Sequence, residues 1–109
     1  HEFDRWLVSY RPDVVVIHQY EPYVQGIVDY LKKRRLRVPQ NLGLAFLDKN
    51  PDTSLFSGIC QDYARLGAIS VEMLLGRLLL QDFRPPEHPR VELVVGNWNE
   101  GRTLRQPQK

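Results

Sequence analysis

The chain has 109 residues, 42% apolar and 26% charged, with 15 Lys and Arg against 13 Asp and Glu for a formal charge of +2. Those figures fit one ordinary soluble domain and exclude a multidomain machine. They also exclude a strongly basic nucleic-acid clamp, and no window approaches the ~18 consecutive apolar residues of a membrane helix. A single cysteine, Cys60, can form neither an internal disulfide nor a thiolate metal cage, so a cytoplasmic, reducing compartment is expected. The opening His1-Glu2-Phe3, without initiator Met or leader, argues against a signal peptide and suggests a piece of something longer.

Phe3, Trp6, Leu7 and Tyr10 recur at helical spacing until Arg11-Pro12-Asp13 ends the pattern. The β-branched run Val14 to Ile17 reads as a central parallel strand buried on both faces. Pro22 suits the first turn of a helix whose stripe is Val24, Ile27, Val28 and Leu31 and which is expected to reach about Leu36. Lys32, Lys33, Arg34, Arg35 and Arg37 then read as a solvated, dipole-complementing helix end rather than a phosphate site. Leu42 to Leu47 is a second buried strand, followed by turn chemistry at Asp48-Lys49-Asn50-Pro51-Asp52. Asp62 is an N-cap candidate for a helix running to about Leu80, carrying Leu66, Ile69, Met73, Leu74 and Leu78 and expected to be mostly buried. After Pro85, Pro86 and Pro89, the residues Val91, Leu93, Val94 and Val95 read as a third strand, and residues 101–109 as a flexible tail.

This alternation predicts an α/β fold, a parallel-sheet βαβ sandwich with helices on the sheet faces. Ligands of such sheets gather at strand carboxyl ends, which selects His18, Gln19 and Tyr20, then Asp48 and Lys49, then Asn97, Trp98 and Asn99. The glycines form no phosphate loop, so no nucleotide cofactor is expected. His1, His18 and His88 lack metal-ligand spacing, so no metal is expected either. Cys60 reads as a small hydrophobe rather than half of a thiol dyad with His18. Asp48 is open to two readings, a turn cap or an acceptor of ligand hydroxyls. Tyr20, Tyr23, Tyr63 and Trp98 are either packing residues or faces on which a sugar ring stacks.

Arg11–Ile17 (R-P-D-V-V-V-I), Leu31–Asp48 (L-K-K-R-R-L-R-V-P-Q-N-L-G-L-A-F-L-D) and Gln61–Leu75 (Q-D-Y-A-R-L-G-A-I-S-V-E-M-L-L) occur in the order and near the spacing of the carboxyl-terminal part of lactose-repressor (LacI) family transcription regulators, which this chain resembles. The resemblance implies a partial periplasmic-binding-protein-like type I lobe over residues 1–100, in which helix 62–80 belongs to the other lobe of the complete sensor. It implies a small, sugar-like effector, a homodimer, no catalysis and no membrane, with DNA contacted only through a helix-turn-helix absent from this sequence. Asp48 matches the first Asp of the family's F-D-D turn, with Lys49 in place of the second. Gln61 and Tyr63 match the cleft-facing entry of the L-G helix, and the family's A-N-D falls on His18-Gln19-Tyr20, leaving Gln19 as the substitute amide. The leucine-rich helix is expected to fold back or to pack on a second copy. Two other readings stand beside this one: a small α/β enzyme fragment with His18 as general base oriented by Asp48, and a periplasmic sugar-binding protein of the same fold.

Overall fold

A computed structural model describes residues 2–19, 22–49, 52 and 54–107 of the chain. The element order is α1 (Glu2–Tyr10), β1 (Val14–Ile17), α2 (Tyr23–Lys33), β2 (Gly43–Lys49), β3 (Ser57–Cys60), α3 (Tyr63–Leu79) and β4 (Asn97–Asn99). The class is α/β, and the four strands form a mixed sheet in the order β1-β2-β3-β4. β1 pairs parallel with β2, and β2 parallel with β3. The chain divides into two compact units, His1–Cys60 with Trp98–Lys109, and Gln61–Asn97.

In the first unit the register places Val15 beside Leu44 and Ile17 beside Phe46. Paired residues share a sheet face, so these four side chains form one apolar surface. Leu7 of α1 and Val24 and Leu31 of α2 complete the core cluster there, with Ile27 and Val28 packed against it. The three- and four-residue spacing on α2 is what aims that stripe at the sheet, and each fully buried aliphatic or aromatic side chain contributes about 1.5–3 kcal/mol. α2 ends at Lys33, earlier than expected, because Arg35 enters the left-handed region at φ 56°. Its cationic end is exposed, as expected of a solvated helix terminus.

Ring packing and an ion pair join α1 to α2. Phe3 meets Tyr30 edge-on with centroids 5.2 Å apart. The Asp4 carboxylate accepts from both the Tyr30 hydroxyl and the Arg34 guanidinium. The Tyr30 bond, then Arg34, holds the Asp4 carboxyl below its ordinary value. Both Asp4 and Arg34 are solvent-accessible, so the pair adds little stability. Because the folded value is depressed, the contribution is fully present above the ordinary carboxylate pKa and disappears as pH falls through the lowered one. Tyr30→Phe is expected to raise the Asp4 pKa in an NMR carboxylate titration; an unchanged value would remove the hydroxyl from this contact.

Several expectations are corrected. Among the described residues β1 is an edge strand, not a central one, and only its helix-covered face is buried, with Val15 buried and Val14 and Val16 exposed. β2 extends through Asp48 and Lys49, which are strand residues rather than turn residues, with a register irregularity against β3 between Phe46 and Lys49; Asn50 and Pro51 of the expected turn lie outside the described residues. The sheet is mixed rather than wholly parallel.

Val91–Val95 joins no strand; the ladder takes Ser57–Cys60 and Asn97–Asn99 instead. Strand propensity expresses fit to a half-buried pleated surface, and residues 91–95 have no such neighbour among the described residues. β3 is held by its polar groups: the Ser57 N–H donates to Thr103 Oγ1 at 2.8 Å, and the Ser57 hydroxyl donates to the Glu100 carbonyl.

Related contacts anchor the first part of the expected flexible tail, residues 101–105, while residues 108 and 109 lie outside the described residues. Thr103 is buried, its hydroxyl donates to the Leu44 carbonyl at 2.7 Å, and the Leu44 N–H donates to its carbonyl at 2.8 Å. Arg102 N–H donates to Leu55 O at 2.8 Å, and Arg105 pairs with Asp13 at 3.0 Å. The amino ends of β2 and β3 present backbone groups that residues 101–105 satisfy.

In the second unit, α3 starts where the capping rule places it: Asp62 Oδ1 accepts from Arg65 N–H at 2.9 Å. The expected burial of α3 is not found, since none of its residues is buried and Leu74, Leu75 and Leu79 are exposed. Residues 81–96 of this unit form neither helix nor strand that could cover it.

Candidate functional site

Parallel pairing sets the candidate site. Ile17 is the last residue of β1 and lies beside Phe46 of β2. The chains leave those positions in the same direction, which brings His18 and Gln19 alongside the Leu47–Asp48 end of β2. His18 and Gln19 are exposed, Asp48 is half-buried, and Lys49 is only 2% exposed. Lys49 lies opposite Cys60, so the carboxyl end of β3 reaches the same rim. Both Asp48 and Lys49 are engaged in interactions. An imidazole, an amide and a carboxylate on one rim provide hydrogen-bond donors and acceptors suited to hydroxyl groups.

The other expected site residues are placed differently. Tyr20 lies outside the described residues. Gln61, half-buried, and Tyr63, exposed at the first position of α3, belong to the second unit. Trp98 sits in β4, half-exposed, with its indole N–H donating to Glu100 Oε2 at 2.9 Å. Its neighbour Asn99 donates to the Ser54 and Phe56 carbonyls, just before the amino end of β3. The half-buried Cys60 was not expected at the rim, because the short Ser57-Gly58-Ile59-Cys60 run carries little strand signal. Its free thiol is the one feature of that strand end that composition alone makes conspicuous.

A groove of about 380 Å³ lies at the opposite end of the strands, lined by Leu7, Arg11, Asp13, Tyr30, Arg34 and Leu42 among others. Its position follows from Asp13 preceding β1 and Leu42 preceding β2. Arg11 and Arg34 stand just beyond the carboxyl termini of α1 and α2, where cations complement the helix dipole. The rim at the strand carboxyl ends is therefore the better candidate. Among the described residues no group of three His, Cys, Asp or Glu could hold a metal. Among the same described residues no helix is long and apolar enough to cross a membrane. No known family model matches the chain, and no curated protein or solved structure matches it.

Proposed function

We propose that this chain is the effector-binding, carboxyl-terminal lobe of a regulator resembling the LacI family, and that it holds a small polyhydroxylated, sugar-like molecule through Asp48, Gln19 and His18. The carrying observation is the parallel β1–β2 register, which aligns those residues at strand carboxyl ends. Asp48 accepts from ligand hydroxyls, and Gln19 and His18 supply a donor and acceptor on the neighbouring strand end.

In this reading no bond is made or broken. The effector stabilises one arrangement of the lobes over another, and that difference biases a homodimeric parent whose helix-turn-helix heads read DNA. An effector with equal affinity for both arrangements switches nothing.

The test is an amide NMR titration of the chain with a panel of neutral monosaccharides. Shifts at His18, Gln19 and Asp48 are expected for the cognate ligand. Asp48→Ala should weaken binding by about tenfold to a hundredfold, the loss of a charge-assisted hydrogen bond. Shifts confined to other residues, or an affinity unchanged by Asp48→Ala, would remove the rim as the site.

A further inference from the structure

The groove at the amino ends of the strands shares no residue with the rim, and its lining falls wholly between residues 7 and 42, so neither end of the sequence defines it. Its volume of about 380 Å³ suits a small ligand. Leu7, Val8, Leu36 and Leu42 make one side of it apolar. The charged residues of the lining are Arg11, Asp13 and Arg34. Arg34 is held by Asp4, with its Nε donating to the Tyr30 hydroxyl at 3.3 Å, and Asp13 is held by Arg105 at 3.0 Å. Arg11 forms no ion pair or side-chain hydrogen bond among the described residues, so one positive charge is left uncompensated there. The nearby helix-end carbonyls are already engaged: Leu7 O accepts from Arg11 N–H at 3.0 Å, Tyr30 O from Arg34 N–H at 3.0 Å, and Leu31 O from Leu36 N–H at 2.9 Å. Asn41, also in the lining, accepts at Oδ1 from Arg37 N–H at 2.9 Å, which orients the amide and leaves its Nδ2 group as a donor.

We propose that this groove binds a small monocarboxylate with an apolar body, an aliphatic or aromatic acid. The single uncompensated charge matches a single anion, and a guanidinium offers a carboxylate two parallel N–H···O bonds that an ammonium group cannot reproduce. Arg11 takes the carboxylate, Asn41 Nδ2 adds a donor, and the leucines cover the hydrocarbon. A neutral sugar does not fit, since its hydroxyls would lie against the leucines and Arg11 would gain no counter-charge. The site is therefore separate from the rim and rests on none of its residues. Arg11 follows α1 in the left-handed region at φ 45°, a position that favours glycine. Replacing it by glycine relieves the backbone, so loss of ligand can be separated from loss of fold. Arg35 holds the same place after α2, at φ 56°, but is not in the lining, and it supplies the paired control.

The experiment is an amide NMR titration of the whole chain at neutral pH and constant ionic strength with sodium hexanoate and sodium benzoate, and with hexanamide and benzamide as their uncharged counterparts. Saturable shifts at Val8, Arg11 and Asn41 are expected for at least one acid, with a dissociation constant on the order of 1 mM, as suits a ligand of so few atoms. The matching amide should bind about tenfold more weakly or worse. Arg11→Gly should lose about tenfold or more in affinity while its melting temperature rises by about 4 °C. Arg35→Gly should gain a similar ~4 °C and keep the wild-type affinity to within about twofold, because an exposed charge outside the groove is screened. If Arg11→Gly fails to fold, Arg11→Gln carries the same expected loss of affinity. No saturable shift with either acid, amides that bind as well as the acids, or an affinity that the Arg11 variant leaves unchanged would each overturn the proposal. Equal losses in Arg35→Gly, or shifts confined to His18, Gln19 and Asp48, would overturn it as well.

Discussion

Gly101→Ala is expected to destabilise the first unit by about 3 kcal/mol or more, enough to leave a large part of the chain unfolded. Gly101 has φ 59°, in the left-handed region, and an added Cβ would stand 2.4 Å from Phe56 C and Ser57 N. Left-handed geometry alone costs a non-glycine residue about 1–2 kcal/mol. The backbone overlap adds more, because the atoms struck belong to the main chain entering β3 and not to a movable side chain. Relief requires residues 101–103 to lift away, which would break the bonds from Thr103 to Leu44 and Ser57. Urea denaturation measures the loss. The control is Gly26→Ala on α2, where an added Cβ meets nothing within 4 Å and a gain of up to ~1 kcal/mol is expected from helix propensity. A Gly101→Ala variant within ~0.5 kcal/mol of wild type would show that the segment is not anchored as described.

Phe46→Ala is expected to cost about 3–5 kcal/mol, the range for deleting a fully enclosed aromatic ring. Phe46 is 0% exposed, lies beside Ile17 of β1 and meets Phe56 edge-on with centroids 5.5 Å apart. It is therefore the residue through which the middle strand touches both the helix layer and the chain leading into β3. The cavity cannot be filled by neighbours already in contact with strands on either side, so both the transfer and the void terms apply. Phe46→Leu should lose less, about 1.5 kcal/mol, since most of the volume remains. Calorimetric unfolding of the two variants separates the cases, and a loss below ~1 kcal/mol for Phe46→Ala would move the centre of the core elsewhere. The rim has a stake in this result. Asp48 is only two residues beyond Phe46 on β2, so a folded variant with disturbed His18 and Asp48 resonances would tie the site's geometry to this ring.

How much was legible varied with the range of the interactions involved. α1, α2 and the start of α3 could be read because their signals are local: apolar residues at three- and four-residue spacing, and an Asp62 side chain that caps its own helix. The Val14–Ile17 and Leu42–Leu47 runs announced strands, and the intervening helix implied their parallel pairing, which is what brings His18, Gln19 and Asp48 to one rim.

Other features had no local trace. Ser57–Cys60 is a poor strand former held by a threonine 46 residues away, whereas Val91–Val95 is a good one that meets no partner. Residues 101–105 read as a tail because they are polar, yet those polar groups satisfy the amino ends of β2 and β3. The sequence by itself determined the helices and the first two strands, since periodicity and capping act within a few residues. Tertiary structure alone decided that, among the described residues, β1 lies at an edge, which segments complete the sheet and which groups share the rim. Those outcomes depend on whether a distant backbone group is present to be bonded, and no neighbour in sequence records that.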